Sequence, residues 1–451
     1  MTGTSKPALR RKRKLTPMQI IALGYLAALL LGAALLALPI SSRSGNPTGA
    51  VDSLMTSASA VCVTGLIPFP TYGHWSLFGQ IVLLFLIQIG GIGIMTLVAL
   101  LTKVMGRSLS LKERKLFMLS AGNDTIGGVP KLIRSVTLFT LAFEGAGTLF
   151  LALRFVPQMG TATGIWNAVF HSVSAFCNAG FDLMGRFGQS SLTGYTGDIT
   201  VNVVIMLLIT AGGFGFAVWQ DLFACRFRPS KFSLHTKVVL VMSGILFAGG
   251  ALLFFLFELP NEAIPLTGKE RILAALFQSV TPRTAGFNTV DIASLTEGST
   301  ALTILLMVIG GAPGSTAGGI KVTSFLVLLA GTLASARQSA ATNLFKRRVE
   351  GDLVRQASAI ATIYFCVASF SVVLLCALEP FSFTQICYEV VSALSNVGMT
   401  MGITGQLTAV SKLVLCLLMY FGRVGMLSLV IALAAKRENL PITRPAENLL
   451  L

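Results

Sequence analysis

The motif CVTGL at residues 62–66 is the first of four related glycine turns in the chain. The other three read CNAGF, RTAGF and SNVGM, and they lie at 177–181, 283–287 and 395–399. Each turn follows a helix-like apolar segment that is only half as long as a membrane span, and self-similarity at a fixed period indicates a repeat architecture. These half-length segments are 48–62, 162–177, 269–282 and 381–395.

Two further markers accompany the turns. A Ser-Ala pair lies six and five residues before the glycine in three repeats, and the third repeat has Val280-Thr281 there. A second glycine motif follows each turn, and we interpret it as close helix packing because small residues are frequent where membrane helices meet. The pairs are Ser59-Ala60, Ser174-Ala175 and Ser392-Ala393, and the second motifs are GGIG at 90–93, GGFG at 212–215, GG at 310–311 and GRVG at 422–425.

Long apolar runs surround these motifs. The composition is 54% hydrophobic and only 12% charged, which is typical of a polytopic membrane protein and not of a soluble domain. The basic run at 10–14 precedes an apolar segment too long for a signal-peptide core, so we expect a retained first helix. The predicted spans are 18–38, 77–102, 135–153, 199–220, 238–257, a broken span at 299–336, 356–378 and 413–435.

The net charge of +16 reflects the topology and predicts no nucleic-acid partner. Most Lys and Arg residues fall in the two termini and the loops near 103–134, 226–237 and 337–355. This bias places both termini and those loops in the cytoplasm. Binding of anionic membrane lipid by the same loops is an alternative use of the charge. The seven Cys residues form no CxxC pair and the three His residues no ligand pattern, so we expect small core residues and no disulfide or metal site.

The predicted fold is an all-α polytopic membrane protein made of four helix–pore-loop–helix repeats. Each repeat crosses the membrane twice and therefore begins and ends on the same face, so we expect parallel repeats in a pseudo-fourfold arrangement around one central pore. The predicted divisions are a basic N-terminus at 1–17, repeat 1 at 18–102, repeat 2 at 131–222, repeat 3 at 234–336, repeat 4 at 354–436 and a C-terminus at 437–451.

The four turns are the candidate ion-binding filter. Non-helical backbone at membrane depth is tolerated where it lines a water-filled path, and rings of carbonyl oxygens can replace the hydration shell of a cation. The half-length helices would point their negative C-terminal ends at that cation. Asp182 and Asp291, near two turns, would attract cations or are solvated loop charges. The candidate filter residues, whose backbone carbonyls would bind K⁺, are Val63, Thr64, Gly65, Asn178, Ala179, Gly180, Thr284, Ala285, Gly286, Asn396, Val397 and Gly398.

The segment 310–319 interrupts the second helix of repeat 3 with five glycines and one proline. We expect a gate that obstructs the pore and moves aside, and a passive kink is the alternative. A nucleotide-binding loop is excluded because such a loop needs Gly-Lys-Ser/Thr in succession, and Ile320 separates Gly319 from Lys321. The candidate gate residues are Gly310, Gly311, Ala312, Pro313, Gly314, Ser315, Thr316, Ala317, Gly318 and Gly319, together with Arg423.

Arg423 is a charged residue within a predicted span, so it should face the protein interior or water. It replaces the second glycine of the GG motif in repeat 4 alone. We expect it to hydrogen-bond backbone carbonyls of 310–319 and to oppose a passing cation. A structural ion pair with an acid such as Glu144 is the alternative.

At these residues the chain resembles the Trk/Ktr/HKT superfamily of potassium transporters, and within it the membrane subunit of the Ktr system. The resemblance covers essentially the whole chain: four pore loops with one glycine each, a broken helix in repeat 3 and an Arg in repeat 4. It implies Gly65, Gly180, Gly286 and Gly398 as filter glycines, and glycine at all four positions implies potassium as the transported ion.

The resemblance also implies partners and a location. We expect a homodimer in the bacterial cytoplasmic membrane, in contact with membrane lipid. A cytosolic regulatory ring of KtrA type would bind nucleotide, so the nucleotide would act through this partner only. Sodium stimulation belongs to the family, and no residue of this chain declares a Na⁺ site.

Two other function classes make different predictions for the sequence. A secondary active cation or solute transporter would predict inverted repeats and unpaired acids at the midplane. A membrane enzyme would need a clustered nucleophile, base or metal set, and the sequence has no HExxH or GxSxG motif. We therefore expect a transport protein and not an enzyme, with secondary active transport as the alternative.

Overall fold

The computed structural model describes residues 17–93, 129–187, 191–264, 266–339, 341–345 and 347–425. Helices account for nearly all of the regular structure. The described part of the chain has one sheet, an antiparallel hairpin of Thr342–Leu344 with Arg347–Val349. The fold is therefore mainly helical, as the apolar runs predicted.

The same order of three helices occurs four times. A long helix is followed by a half-length helix and then by a second, outgoing helix. The long helices are Pro17–Leu36, Val129–Met159, Leu234–Phe257 and Gly351–Leu378. The half-length helices are Ala50–Val61, Thr161–Phe176, Gly268–Val280 and Phe383–Ser395. The outgoing helices are Leu77–Ile92, Ile199–Phe214, Glu297–Val308 and Ala409–Val424.

The first helix of each repeat is long and apolar enough to cross a membrane. Only about a third or less of each apolar window is buried inside the protein, so most of that surface faces outward. Leu153 is 66% exposed and Phe370 is 70% exposed. Such large apolar side chains need an apolar surrounding, which a lipid bilayer supplies. The chain is a multi-pass membrane protein.

The outgoing helices differ from the prediction. A continuous span over 199–220 is wrong, because the chain bends by 92° between Ile199–Phe214 and Phe216–Ala224. Gly215, at the bend, has a φ of 82°, a value that glycine adopts without strain. The outgoing helices of repeats 1 and 4 likewise end before a positive-φ glycine, Gly93 and Gly425. The predicted continuations to 102 and 435 lie outside the described residues.

Helix 322–336 follows the interrupted segment of repeat 3. It begins at Val322 and ends at Ala336, and the preceding helix ends at Val308. A parallel backbone bridge joins Ile309 to Ile320 across the interruption. The two helix ends are thus held together while ten residues bulge between them.

Capping groups fix where the helices begin. Thr267 and Glu270 form a capping box at the start of the half-length helix of repeat 3, and Thr267 N donates to Glu270 Oε2 at 2.9 Å. Glu379, at the end of the long helix of repeat 4, accepts a 2.8 Å hydrogen bond from the backbone N of Thr408. Since Thr408 caps the outgoing helix, this carboxylate joins the two long elements of its repeat.

The cysteines match the core prediction only in part. Cys62, Cys177 and Cys416 are buried, whereas Cys366 and Cys376 are exposed on the long helix of repeat 4. All seven are free thiols. The two exposed ones are therefore wrong as core residues, because they lie on the outward apolar face of that helix.

Candidate functional site

The four predicted turns lie in mutual contact. A methyl group added to each glycine would touch the carbonyl oxygen of the residue that precedes the next glycine, and the series closes on itself. These distances are 2.7 Å from Gly65 to Ala179 O, 2.9 Å from Gly180 to Ala285 O, 2.7 Å from Gly286 to Val397 O and 1.8 Å from Gly398 to Thr64 O. Residues from all four repeats thus share one small volume with no room for a side chain.

The backbone of the turns is unusual at two positions in every repeat. The four glycines have φ between 68° and 102°. The residue two positions before each glycine is also left-handed, although none of these four is glycine. Their φ values are 55° at Val63, 59° at Asn178, 73° at Thr284 and 55° at Asn396. Left-handed β-branched residues cost about 1–3 kcal/mol each and persist only where surrounding contacts hold them.

Hydroxyl groups at the C-terminal ends of the half-length helices bond the turns beside the glycines. Ser59 Oγ accepts from Gly65 N at 2.9 Å, and Ser392 Oγ accepts from Gly398 N at 3.0 Å. In repeats 2 and 3 the hydroxyl donates to the carbonyl just after the glycine: Ser174 to Phe181 at 2.8 Å and Thr281 to Phe287 at 2.6 Å. Sequence reasoning used these residues only as markers of the repeat, and the recurring hydroxyl was the signal that it missed.

The second glycine motifs pack directly behind the turns. A methyl group on Gly90 would lie 2.3 Å from Val61 O, and one on Gly212 would lie 2.0 Å from Phe176 O. Both oxygens belong to the last residue of a half-length helix. These glycines therefore allow an outgoing helix to touch the half-length helix, as the packing interpretation predicted.

The segment 310–319 is attached to other repeats. Ala312 N donates to Gly213 O at 3.0 Å and Thr316 N donates to Gly212 O at 3.3 Å, both in repeat 2. On the other side, a methyl group on Gly318 would lie 2.5 Å from Ser395 O in repeat 4. The candidate gate residues therefore lie against the end of the outgoing helix of repeat 2 and the end of the half-length helix of repeat 4.

Arg423 contacts this segment as the sequence predicted. One terminal nitrogen donates to Thr316 O and the other donates to Gly90 O in repeat 1. The alternative pairing with Glu144 is not found: within the described ranges Arg423 has no ion pair, and Glu144 accepts from Gln88 at 3.1 Å. Arg423 thus bridges the interrupted segment of repeat 3 to the outgoing helix of repeat 1.

The carboxylates of two acids near the turns accept hydrogen bonds from residues two or three positions away. Asp182 accepts from Met184 N at 2.9 Å, and exposed Asp291 accepts from Ser294 Oγ at 2.7 Å. Sequence reasoning missed a different acid, Asp52 in the first turn of the first half-length helix. It forms a 2.8 Å ion pair with Lys412 on the outgoing helix of repeat 4. Repeats 1 and 4 are thereby joined by charge as well as by the ring of turns.

These features define a class of protein: a helical multi-pass membrane protein in which four glycine turns meet. The family described as TrkH, cation transport protein, matches residues 32–440. The Ktr system potassium uptake protein B of Bacillus subtilis is 39% identical over 428 residues, 94% of this chain and 95% of that protein. The potassium/sodium uptake protein NtpJ of Enterococcus hirae is 37% identical over 449 residues, 98% of each chain.

A solved structure shares the fold. The potassium transporter TrkH from Vibrio parahaemolyticus superimposes with a TM-score of 0.74 at 20% sequence identity, over 95% of this chain and 87% of that one. The chain therefore belongs to the TrkH family of cation transport proteins. The superfamily resemblance drawn from the turns is confirmed.

Proposed function

We propose that this protein takes up potassium ions across the cytoplasmic membrane through a filter of main-chain oxygens. The observation that carries the proposal is the closed series of contacts among Gly65, Gly180, Gly286 and Gly398. Relatives named as potassium uptake proteins cover nearly the whole chain at 39% and 38% identity. Transport and not catalysis is the function that this site supports.

The filter acts by replacing water around the ion. Carbonyl oxygens of Thr64, Ala179, Ala285 and Val397 lie next to the glycines of neighbouring turns. In this proposal the four repeats take a pseudo-fourfold arrangement around one central pore. Such oxygens compensate a monovalent cation for its lost hydration. The four half-length helices add the partial negative charge of their C-terminal ends, roughly half an elementary charge each. Fixed turns make this compensation available without rearrangement.

Glycine at all four positions favours potassium over sodium by the family resemblance. A relative named for both ions makes sodium dependence a further property to measure. We place the protein in the bacterial cytoplasmic membrane, with both termini cytoplasmic, as a lipid-embedded homodimer on a nucleotide-binding ring of KtrA type. The relatives' names refer to a Ktr system, which supports a partner subunit.

The gate is the second part of the proposal. The segment 310–319 contacts repeats 2 and 4, and Arg423 ties it to repeat 1. A glycine-rich segment held by a few cross-repeat hydrogen bonds can move aside when those bonds break. In the closed position the segment blocks the path and the Arg423 charge opposes cations.

Rescue of potassium-uptake-deficient bacteria tests the filter. Wild type and Gly→Ser at each of the four positions are compared in low potassium, with and without sodium. We expect Gly398→Ser to lower uptake most, by about tenfold or more, because any β-carbon there lies 1.8 Å from a backbone oxygen.

Gly249→Ser is the matched control, since nothing lies within 4 Å of its added β-carbon and it belongs to a long helix. It should retain wild-type uptake. Undiminished potassium uptake by Gly398→Ser, at equal amounts of membrane protein, contradicts the filter.

A further inference from the structure

Arg283 is a buried cation at the entrance to the third turn. It lies three residues before Gly286 and its residue is only 6% exposed. The equivalent positions of the other repeats carry uncharged side chains, namely Cys62, Cys177 and Ser395. Only the repeat with the interrupted outgoing helix therefore has a charge here.

The side chain reaches from the turn to the interrupted segment. Arg283 Nη2 donates to Gly310 O at 3.4 Å, and Gly310 is the first residue of that segment. The guanidinium also lies over the ring of Phe247, with 4.7 Å from its central carbon to the ring centroid. These contacts fix the guanidinium between the long helix, the turn and the segment of a single repeat.

Both ends of this link are anchored by backbone bonds. On the turn side, Ala285 N donates to Thr281 O at 3.0 Å, which holds the turn on its half-length helix. On the segment side, Gly310 N donates to Ile320 O at 2.9 Å, which closes the base of the bulge. A displacement of Gly310 should therefore also move the Arg283 side chain that is bonded to it.

The guanidinium is sparsely bonded for a buried group. It carries five N–H donors, and its Nε has no partner among the described residues. The ion pairs in that part of the chain do not include it. Burial of a charge with so few bonds is costly, and the free donors can bind other carbonyls when the segment shifts.

We propose that Arg283 is a positioning residue that couples the third filter turn to the gate segment. Its bond to Gly310 holds the segment in the blocking position, and loss of the bond frees the segment and relaxes the turn. This inference rests on the proposed gate at 310–319, and it assigns to Arg283 a role distinct from that of Arg423, which binds the middle of the segment.

The test is a double-mutant comparison on the full chain, with rubidium flux into liposomes and the potassium-to-sodium flux ratio as readouts. Arg283→Gln is measured in the intact chain and in a chain lacking 313–317. Arg271→Gln, on the half-length helix that precedes Arg283, is the matched loss of a positive charge. We expect Arg283→Gln to raise flux about three- to tenfold and to lower the flux ratio in the intact chain.

In the deletion chain, Arg283→Gln should add nothing to the flux, because the segment that it holds is already removed. An equal rise in both backgrounds overturns the proposal, since Arg283 would then act on the ion directly. Unchanged flux and flux ratio in the intact chain overturn it as well.

Arg283→Lys is a second variant that keeps the positive charge. If Arg283→Gln does not fold, Arg283→Lys tests the proposed coupling in its place. A smaller flux rise that is again absent in the deletion chain supports the proposal, and unchanged flux overturns it. The deletion by itself distinguishes a failure of the gate from a failure of the Arg283 coupling. If the deletion leaves flux unchanged, the gate itself fails; if it raises flux while Arg283 variants do not, only the coupling fails.

Discussion

The filter turns and the gate segment both depend on glycine, yet they differ in the hydrogen bonds that hold them. The turns of repeats 1 and 4 are bonded to their own half-length helices, through Ser59 and Ser392. The segment 310–319 has hydrogen bonds within repeat 3 and, in addition, hydrogen bonds to other repeats, through Gly213 and Arg423 among others. Local bonds survive when the repeats shift relative to one another, whereas cross-repeat bonds break. The comparison indicates that the filter turns are fixed and that the segment 310–319 can move.

Removal of the movable element should have the largest effect. Deletion of 313–317 takes away the cross-repeat bonds of Thr316 and the obstruction together, so we expect flux to rise about tenfold or more. Ion flux into liposomes and the folded yield are measured together. Lost or unchanged flux in well-folded protein shows that the segment is a passive kink.

Arg423→Ala should have the next largest effect. It leaves Thr316 O and Gly90 O without their donor and removes a positive charge from the gate. We expect flux to rise about threefold to tenfold, with a change in the potassium-to-sodium ratio. A lower folded yield with normal flux per molecule indicates instead a purely structural role. Arg154→Ala, on the long helix of repeat 2, is the control for loss of an arginine; its partner Asp198 caps the outgoing helix of that repeat.

Ser392→Ala tests the fixed element. It leaves Gly398 N unpaired inside the protein, which costs about 1–3 kcal/mol. Because the turn then loses its brace, the potassium-to-sodium flux ratio should fall several-fold while total flux changes less. Ser358→Ala, on the long helix of the same repeat, is the control. An unchanged ratio shows that the backbone alone fixes the turn.

The smallest effect is expected at Glu379, outside the filter and the gate. Glu379→Gln weakens the clamp on Thr408, so we expect about 1 kcal/mol less stability and normal flux. Partial burial alone would raise the pKa of Glu379, but hydrogen bonds from Ser411 and Thr408 and the nearby Lys412 charge hold it below its ordinary value.

The sign of the pH dependence follows from that lowered pKa. The stabilisation is present above the ordinary pKa and is lost as the pH falls through the lowered one. Thermal unfolding of wild type and Glu379→Gln should therefore differ at neutral pH and converge below about pH 4. A difference that persists in acid shows that the carboxylate charge is not the cause.

Much of the fold followed from local patterns. The half-length helices were predicted within about three residues of their ends, because apolar length and capping residues such as Thr267 act over one or two turns. The bend in the outgoing helix of repeat 2 was missed. A single glycine such as Gly215 is compatible with a continuous helix or with a bend, and only packing against the segment 310–319 selects the bend.

The filter turns and Arg423 were predicted from the sequence, but the residues that hold the turns and the segment 310–319 in place were not. The contact of Arg423 with 310–319 was expected because a charge in a membrane span needs buried polar partners. Arg283 was not predicted as a site residue, although it is the only charged residue at its position among the four repeats. The proposed role depends on the distance between Arg283 and Gly310 in space. These residues lie far apart along the chain, so their spacing in the sequence does not predict the contact.

The sequence by itself determined four repeats, their half-length helices and the glycines of their turns, because periodicity, hydropathy and backbone freedom are properties of short stretches. Only the tertiary structure decided which carbonyl oxygens the glycines face, that Arg283 bonds Gly310 and that Arg423 also bonds Gly90 of repeat 1. Those contacts join residues from different repeats or from distant positions in one repeat. They depend on how whole helices pack, and no local pattern encodes that arrangement.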